Sequence, residues 1–126
     1  MLLSDVFWYT FGAQIIRNYD QSHVNPTSYD CHLASDIRLQ VLDGVEYPDV
    51  LATLHKNGTM TVSAHNGKPE MRIPSIFQPG DVFLGSTTEY FRLGRWINLT
   101  WMDKSSTGRE GLTHHRAGHI DPGFSG

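Results

Sequence analysis

The sequence predicts a mainly β domain, a sandwich or barrel, preceded by one short helix. Three observations support this. Beyond Asn25-Pro26 the chain breaks into short runs rich in Val, Ile, Leu, Thr and aromatic residues, the types that fit a pleated, half-buried surface. Asp43-Gly44, Asn57-Gly58, Asn66-Gly67 and Pro79-Gly80 separate these runs, each pair supplying a positive or preset φ for a turn. Ahead of them, Ser4-Asp5 precedes Val6, Phe7, Phe11, Ile15 and Ile16, a helical spacing of apolar residues behind an N-cap.

The helix comes first, its propensity weakened by Trp8, Tyr9 and Thr10. Strands are predicted at Tyr29 to Leu33 and Ile37 to Leu42, the second closed by Asp43-Gly44. Residues 43–70 form a polar stretch whose one strand, Thr59 to Ser63, lies between two Asn-Gly pairs. Met71 to Ile73 follows, and Pro79-Gly80 then opens onto Val82 to Thr88. Tyr90 to Leu93 and Ile97 to Met102 complete the set. No repeat or linker interrupts the pattern, so residues 1–126 are expected to form a single domain of a length able to bury a core.

Ten Lys and Arg against thirteen Asp and Glu give a net charge of -3, which offers no electrostatic footprint for duplex nucleic acid. An anionic ligand must therefore be held by a local site. Cys31 is the only cysteine; it excludes an internal disulfide framework and is expected to be a buried structural thiol. No stretch approaches the roughly 20 apolar residues of a membrane helix, and no basic segment leads into an apolar run at the N terminus. The expectation is a soluble, cytoplasmic protein that binds neither membrane nor duplex.

Chemistry concentrates near the end of the chain. Lys104-Ser105-Ser106-Thr107-Gly108-Arg109-Glu110-Gly111-Leu112 places two cations, three hydroxyls and glycine directly after an apolar run. Such a segment suits an oligophosphate, because hydroxyls and amides donate to its oxygens and a guanidinium can grip two of them. A solvated surface turn has a similar composition, so composition alone leaves both readings open. His114, His115 and His119 invite a metal reading, yet adjacent residues of a strand point to opposite faces, and the spacing matches no HExxH or Cys/His zinc signature. No metal ligand is expected among them. Asp121, before Pro122-Gly123, is by local sequence a turn initiator, and Phe124 is by type a core residue. Together they could also present a carboxylate and a ring to a flat polar ligand. Trp8, Trp96 and Trp101 are expected in the core or at a subunit interface.

Four segments occur in a telling order: Asn25-Pro26-Thr27-Ser28-Tyr29-Asp30-Cys31-His32-Leu33, Gln78-Pro79-Gly80-Asp81, Lys104-Ser105-Ser106 with Arg109-Glu110-Gly111-Leu112, and Ala117-Gly118-His119-Ile120-Asp121-Pro122-Gly123-Phe124-Ser125-Gly126. They resemble the successive motifs of dCTP deaminase, of the trimeric dUTPase superfamily. The resemblance implies a distorted β-barrel or jelly roll of the dUTPase-like type, assembled as a homotrimer in a bacterial, archaeal or phage-infected cell. It implies dCTP as substrate, Mg²⁺ carried on the nucleotide phosphates, and hydrolysis to dUTP and ammonia.

By position, Lys104, Ser105, Ser106 and Arg109 fall in the phosphate-binding motif, with Ser105 and Arg109 also in catalytic positions. Asp121 falls where the family has an acid contacting the deoxynucleoside. The His115 carbonyl and the Ala117 backbone fall where the family orients the water and the base. With one cysteine and neither an HxE nor a PCxxC motif, a deaminase built on this chain activates water without zinc.

Two departures accompany the resemblance. Lys104 stands where the family carries arginine, which keeps the charge and loses the bidentate fork. The family's general-base glutamate lies beyond the Gly-Phe-Ser-Gly segment, so a chain ending at Gly126 is expected to be incomplete at its C terminus. Glu110 and Glu89 do not match that position. The principal expectation is therefore a zinc-independent dCTP deaminase forming dUTP. The alternatives are a dUTP diphosphatase or a bifunctional enzyme forming dUMP and, in another class, a noncatalytic remnant that binds nucleotide or protein.

Overall fold

The computed structural model describes residues 5–26, 28–102 and 118–126. In chain order its elements are α1 (Asp5–Ile15), β1 (Ile16–Arg17), a 3-10 turn (Gln21–His23), β2 (Leu33–Leu42), β3 (Val45–Leu54), β4 (Thr59–Val62), β5 (Met71–Pro74), β6 (Val82–Thr87), β7 (Tyr90–Phe91), β8 (Leu99–Thr100) and β9 (His119–Ile120). The fold is mainly β with one short N-terminal helix, the class the sequence predicts. Two compact units compose it: Leu33–Thr87, and Met1–His32 together with Thr88–Gly126.

The unit Leu33–Thr87 is a five-stranded antiparallel sheet in the order β5-β4-β3-β2-β6. Its β2–β3 hairpin turns on Asp43 and Gly44, with φ of 52° and 75°, the two positive values that a tight hairpin of matching twist requires. Ile37, Leu39 and Leu42 of β2 pack with Val50, Ala52, Met60 and Val62 from the neighbouring strands as the buried core. The step from Leu39 to Leu42 breaks the two-residue alternation because the ladder shifts between Leu39 and Val41. Opposite this shift, Tyr47, Pro48 and Asp49 lie between the paired residues Glu46 and Val50, and Asp49 has a φ of 55°. Gln40 Nε2 donates to Asp49 Oδ1 at 2.7 Å across the bulge. Proline, which has no N–H to give a ladder, is tolerated at such an irregularity.

That bulge explains the main miss of the sequence reading. Residues 43–70 hold two strands rather than one, because Glu46, Pro48 and Asp49 hide the periodicity of β3 while pairing with β2 carries the strand past them. Two other expectations shrink. Tyr29 to Leu33 is not a strand: Tyr29 makes one bridge with Val24, and the ladder starts at Leu33. Ile97 to Met102 reduces to β8, which pairs with β9.

In the other unit, the predicted apolar set is buried at Ile15 and Ile16 and departs at Phe11. Trp8, Gly12 and Ile15 point inward, whereas Phe11 is exposed; Ser4 lies outside the described residues. The Tyr19 ring sits against Gly12, and its hydroxyl donates to the Trp8 carbonyl at 2.8 Å. Residues 90–93 form the spine of this unit. On one side Phe91 and Tyr90 pair with Ile16 and Arg17 of β1. On the other, Phe91 and Gly126 exchange both backbone hydrogen bonds, at 2.6 and 2.9 Å, and Leu93 N–H donates to the Phe124 carbonyl at 2.8 Å.

Trp8, Ile15, Ile16, Phe91 and Leu93 make the buried cluster, with Cys31 packed against it. Cys31 is half-buried rather than buried; burial first, then the nearby Glu89 and Asp30 carboxylates, push its thiol up to about 12, which favours the protonated form. Trp8 is core, while Trp96 and Trp101 are exposed on this chain. No described helix is long and apolar enough to cross a membrane.

Gly12→Ala tests the helix packing. A Cβ there would lie 2.7 Å from Tyr19 Cζ, so overpacking of about 1–3 kcal/mol is set against the ~1 kcal/mol gained in helix propensity. The expected outcome is a lower urea midpoint. A midpoint equal to or above that of the parent would show that the Tyr19 ring yields freely.

Candidate functional site

Of the residues that the sequence assigns to nucleotide binding, Lys104, Ser105, Ser106, Arg109, His115 and Ala117 lie outside the described residues. Asp121 lies inside them, at the first position of a turn. Pro122 supplies the preset φ, Gly123 the positive one at 82°, and Phe124 N–H donates back to the Asp121 carbonyl at 3.2 Å, the features of a type II Pro-Gly turn. Downstream, Phe124 to Gly126 are zipped onto residues 91–93, and the Tyr90 hydroxyl and Ser125 Oγ share a hydrogen bond at 3.1 Å. Upstream, His119 and Ile120 form β9. The turn is therefore held at both ends by sheet pairing.

What the turn presents is one carboxylate and one ring. The Asp121 side chain is 84% exposed, with His119 Nε2 3.3 Å from its Oδ1, and Phe124 is 43% exposed. An exposed carboxylate accepts hydrogen bonds from a hydroxyl or an amino group, and the ring offers an apolar face to a flat heterocycle. The Asp-Pro turn anticipated from local sequence is present, with the Asp121 side chain exposed. His119, Ile120 and Asp121 share a short segment, whereas the phosphate-type residues that would complete a site are not among those described.

A second constellation escaped the sequence reading. Glu89 is the one buried charged side chain among the described residues. His32 gives it two donors: the backbone N–H lies 3.0 Å from both carboxylate oxygens, and Nδ1 approaches Oε1 closely. Burial alone would raise the Glu89 carboxyl, but the hydrogen bonds from His32 outweigh it and hold the group below its ordinary value. Thr88 N–H donates to the His32 carbonyl at 3.0 Å, so the clasp is double.

The His32 ring in turn packs against that of His23, tilted by 31°, with centroids 3.8 Å apart. His23 Nδ1 meets the Asp30 carbonyl at 2.8 Å. Asp20 caps the 3-10 turn, its Oδ1 accepting from Ser22 N–H at 3.0 Å and Ser22 Oγ at 2.6 Å. Those bonds, led by the Ser22 hydroxyl, hold the Asp20 carboxyl below the usual range. No periodicity announces this group, since Glu89 is 57 residues from His32. The one local signal was the Asp20/His23 spacing of three across a single turn.

Residues 10–126 match the family model described as dCTP deaminase-like. A protein of Streptomyces avermitilis named "dCTP deaminase, dUMP-forming" is 38% identical over 116 residues, covering 91% of this chain and 58% of its own length. Proteins of the same name from Thermobifida fusca and Nocardioides sp. are 38% and 35% identical, covering 91% and 100% of this chain and 56% and 65% of their own lengths. The chain thus spans less than two thirds of each of these relatives.

The Glu89 clasp predicts a pH dependence. A carboxyl whose folded value is depressed stabilises the fold above its unfolded value, 4.5, and that contribution is lost as pH falls through the folded value. Glu89→Gln should cost about 1–3 kcal/mol at neutral pH, the loss of a charged acceptor for two donors. It should also flatten the decline of the urea midpoint between neutral and acid pH. A variant with the parent's full acid slope would remove Glu89 as its source.

Proposed function

The chain belongs to the dCTP deaminase-like family, and from that premise we propose that it serves the hydrolytic deamination of dCTP with release of dUMP. The observation that carries this reading is the match of residues 10–126 to the family, joined to relatives whose shared name specifies dUMP formation. That name favours the bifunctional alternative over a reaction that stops at dUTP. In the first step water adds at C4 of the cytosine and ammonia departs. In the second, water cleaves dUTP to dUMP and diphosphate.

In this reading the Asp121 carboxylate, on its rigid Pro-Gly turn, accepts from the deoxynucleoside, and Phe124 lies beside it. Support for that role is the exposure of the side chain and the pinning of the turn at both ends. Lys104, Ser105, Ser106 and Arg109 hold the triphosphate with its Mg²⁺, Arg109 and Ser105 also stabilising charge that develops near the ring. The His115 carbonyl and Ala117 backbone orient water and base. Glu89 does not serve as the proton-transfer group, because it is buried and committed to His32. A homotrimer with sites between subunits belongs to the same proposal, as does water activation without zinc.

The deciding assay incubates the purified protein with dCTP and Mg²⁺ and quantifies ammonia, dUTP, dUMP and diphosphate separately. Equal ammonia, dUMP and diphosphate are expected. Accumulating dUTP would reduce the reading to a deaminase alone, and nucleotide binding without any product would replace it with a binding module. Within an active protein, Arg109→Ala should lower kcat/KM by about 100-fold, the scale of losing a charge-stabilising donor. Asp121→Asn should chiefly raise KM, since the turn's backbone bonds do not involve its side chain. Unchanged kinetics in either folded variant would withdraw that residue's role.

A further inference from the structure

We propose that Asp20 Oδ2, His23 Nε2 and His32 Nε2 form a binding site for a divalent transition-metal ion of the zinc class. One ligand atom from each of the three residues lies within 4.8 Å of those of the other two. Each histidine nitrogen faces the same carboxylate oxygen, at 3.8 Å from His23 and 4.0 Å from His32. The inference is independent of the proposed catalytic reaction and shares no residue with it.

The hydrogen bonds around the cluster determine what it lacks. A backbone carbonyl only accepts, so the contact of His23 Nδ1 with the Asp30 carbonyl requires the proton on Nδ1 and, in the neutral ring, leaves a lone pair on Nε2. An ionised carboxylate likewise only accepts, so His32 Nδ1 donates to Glu89 and its Nε2 is bare in the neutral ring. Asp20 spends Oδ1 on Ser22, leaving Oδ2 turned to the two rings. With both rings neutral, three acceptors converge without a donor among them, an arrangement that a cation resolves. The outer partners are those that orient metal-bound histidines: a carboxylate behind one ring and a backbone carbonyl behind the other.

The donor set selects the ion. Two imidazoles and one carboxylate suit zinc and its neighbours, whereas Mg²⁺ and Ca²⁺ prefer all-oxygen ligands. With metal–nitrogen bonds of about 2.0–2.1 Å, tetrahedral donors stand about 3.3 Å apart, so the separations need to close by about 0.5 Å to at most about 1.5 Å. The Asp20 and His32 side chains, 45% and 37% exposed, have room to do so, and solvent can fill the remaining coordination position. Bound there, the ion would tie the 3-10 turn to the residue just before β2. His119, the one described member of the histidine group weighed for a metal in the sequence, takes no part.

The test is titration of the chelator-treated, metal-free protein with Co²⁺, read by its visible d–d absorption, followed by displacement with Zn²⁺. One equivalent per chain is expected, resistant to excess Mg²⁺. Asp20→Asn, which keeps the Oδ1 cap on Ser22, and His23→Gln should each weaken Co²⁺ binding by about 100-fold or more, beyond the 10–100-fold typical of losing an outer partner. His65→Ala, in a turn of the five-stranded sheet, should leave it unchanged. Circular dichroism establishes that each variant is folded. Absence of a saturable one-equivalent spectrum, or binding that survives both substitutions at parental affinity, would overturn the site.

Discussion

A buried carboxylate with two donors from a single residue is the constraint on which the helix-bearing unit depends. Glu89 stands immediately before residues 90–93, the spine that pairs with β1 on one side and with the C-terminal segment on the other. An ionised carboxylate without solvent is costly, by several kcal/mol unless its lone pairs are filled. His32 fills them from both its backbone and its ring. The return bond from Thr88 N–H to the His32 carbonyl closes the clasp, so the chain enters the spine in one register.

Two consequences run outward from that clasp. Toward the C terminus, the spine receives Phe124 to Gly126 and thereby holds the Asp121-Pro122-Gly123-Phe124 turn, whose exposed carboxylate is the described part of the proposed nucleotide site. Toward the N terminus, the same glutamate fixes which nitrogen of His32 carries its proton and where the other points. The ring then meets His23 and Asp20, whose own positions are set by a capped 3-10 turn. The buried acid thus stands between the strand that holds the Asp121 turn and a cluster of metal-type donors.

Legibility in the sequence tracked how local each determinant is. The Asp43-Gly44 turn, the strand at Ile37 to Leu42 and the helix over residues 5–15 depend on neighbours within a few positions, and all were readable. β3 was not, because Glu46, Pro48 and Asp49 erase its alternation and only the bulged pairing with β2 sustains it. On the helix, spacing found the buried Ile15 and Ile16 but not the exposure of Phe11, nor the Tyr19 ring that sits against Gly12 and donates to the Trp8 carbonyl.

By itself the sequence determined the mainly β class, the turns and, through its ordered motifs, the family; these reside in short segments whose chemistry is complete within the segment. It also singled out Asp121 through the Pro-Gly pair that follows it. Only the tertiary structure decided that Glu89 is buried against His32, that Asp20, His23 and His32 converge, and that the Asp121 turn is pinned to residues 91–93. The physical reason is common to all three. Each is a hydrogen-bonded or converging arrangement between residues that a linear pattern never places side by side, and its energy exists only once folding has removed the intervening water.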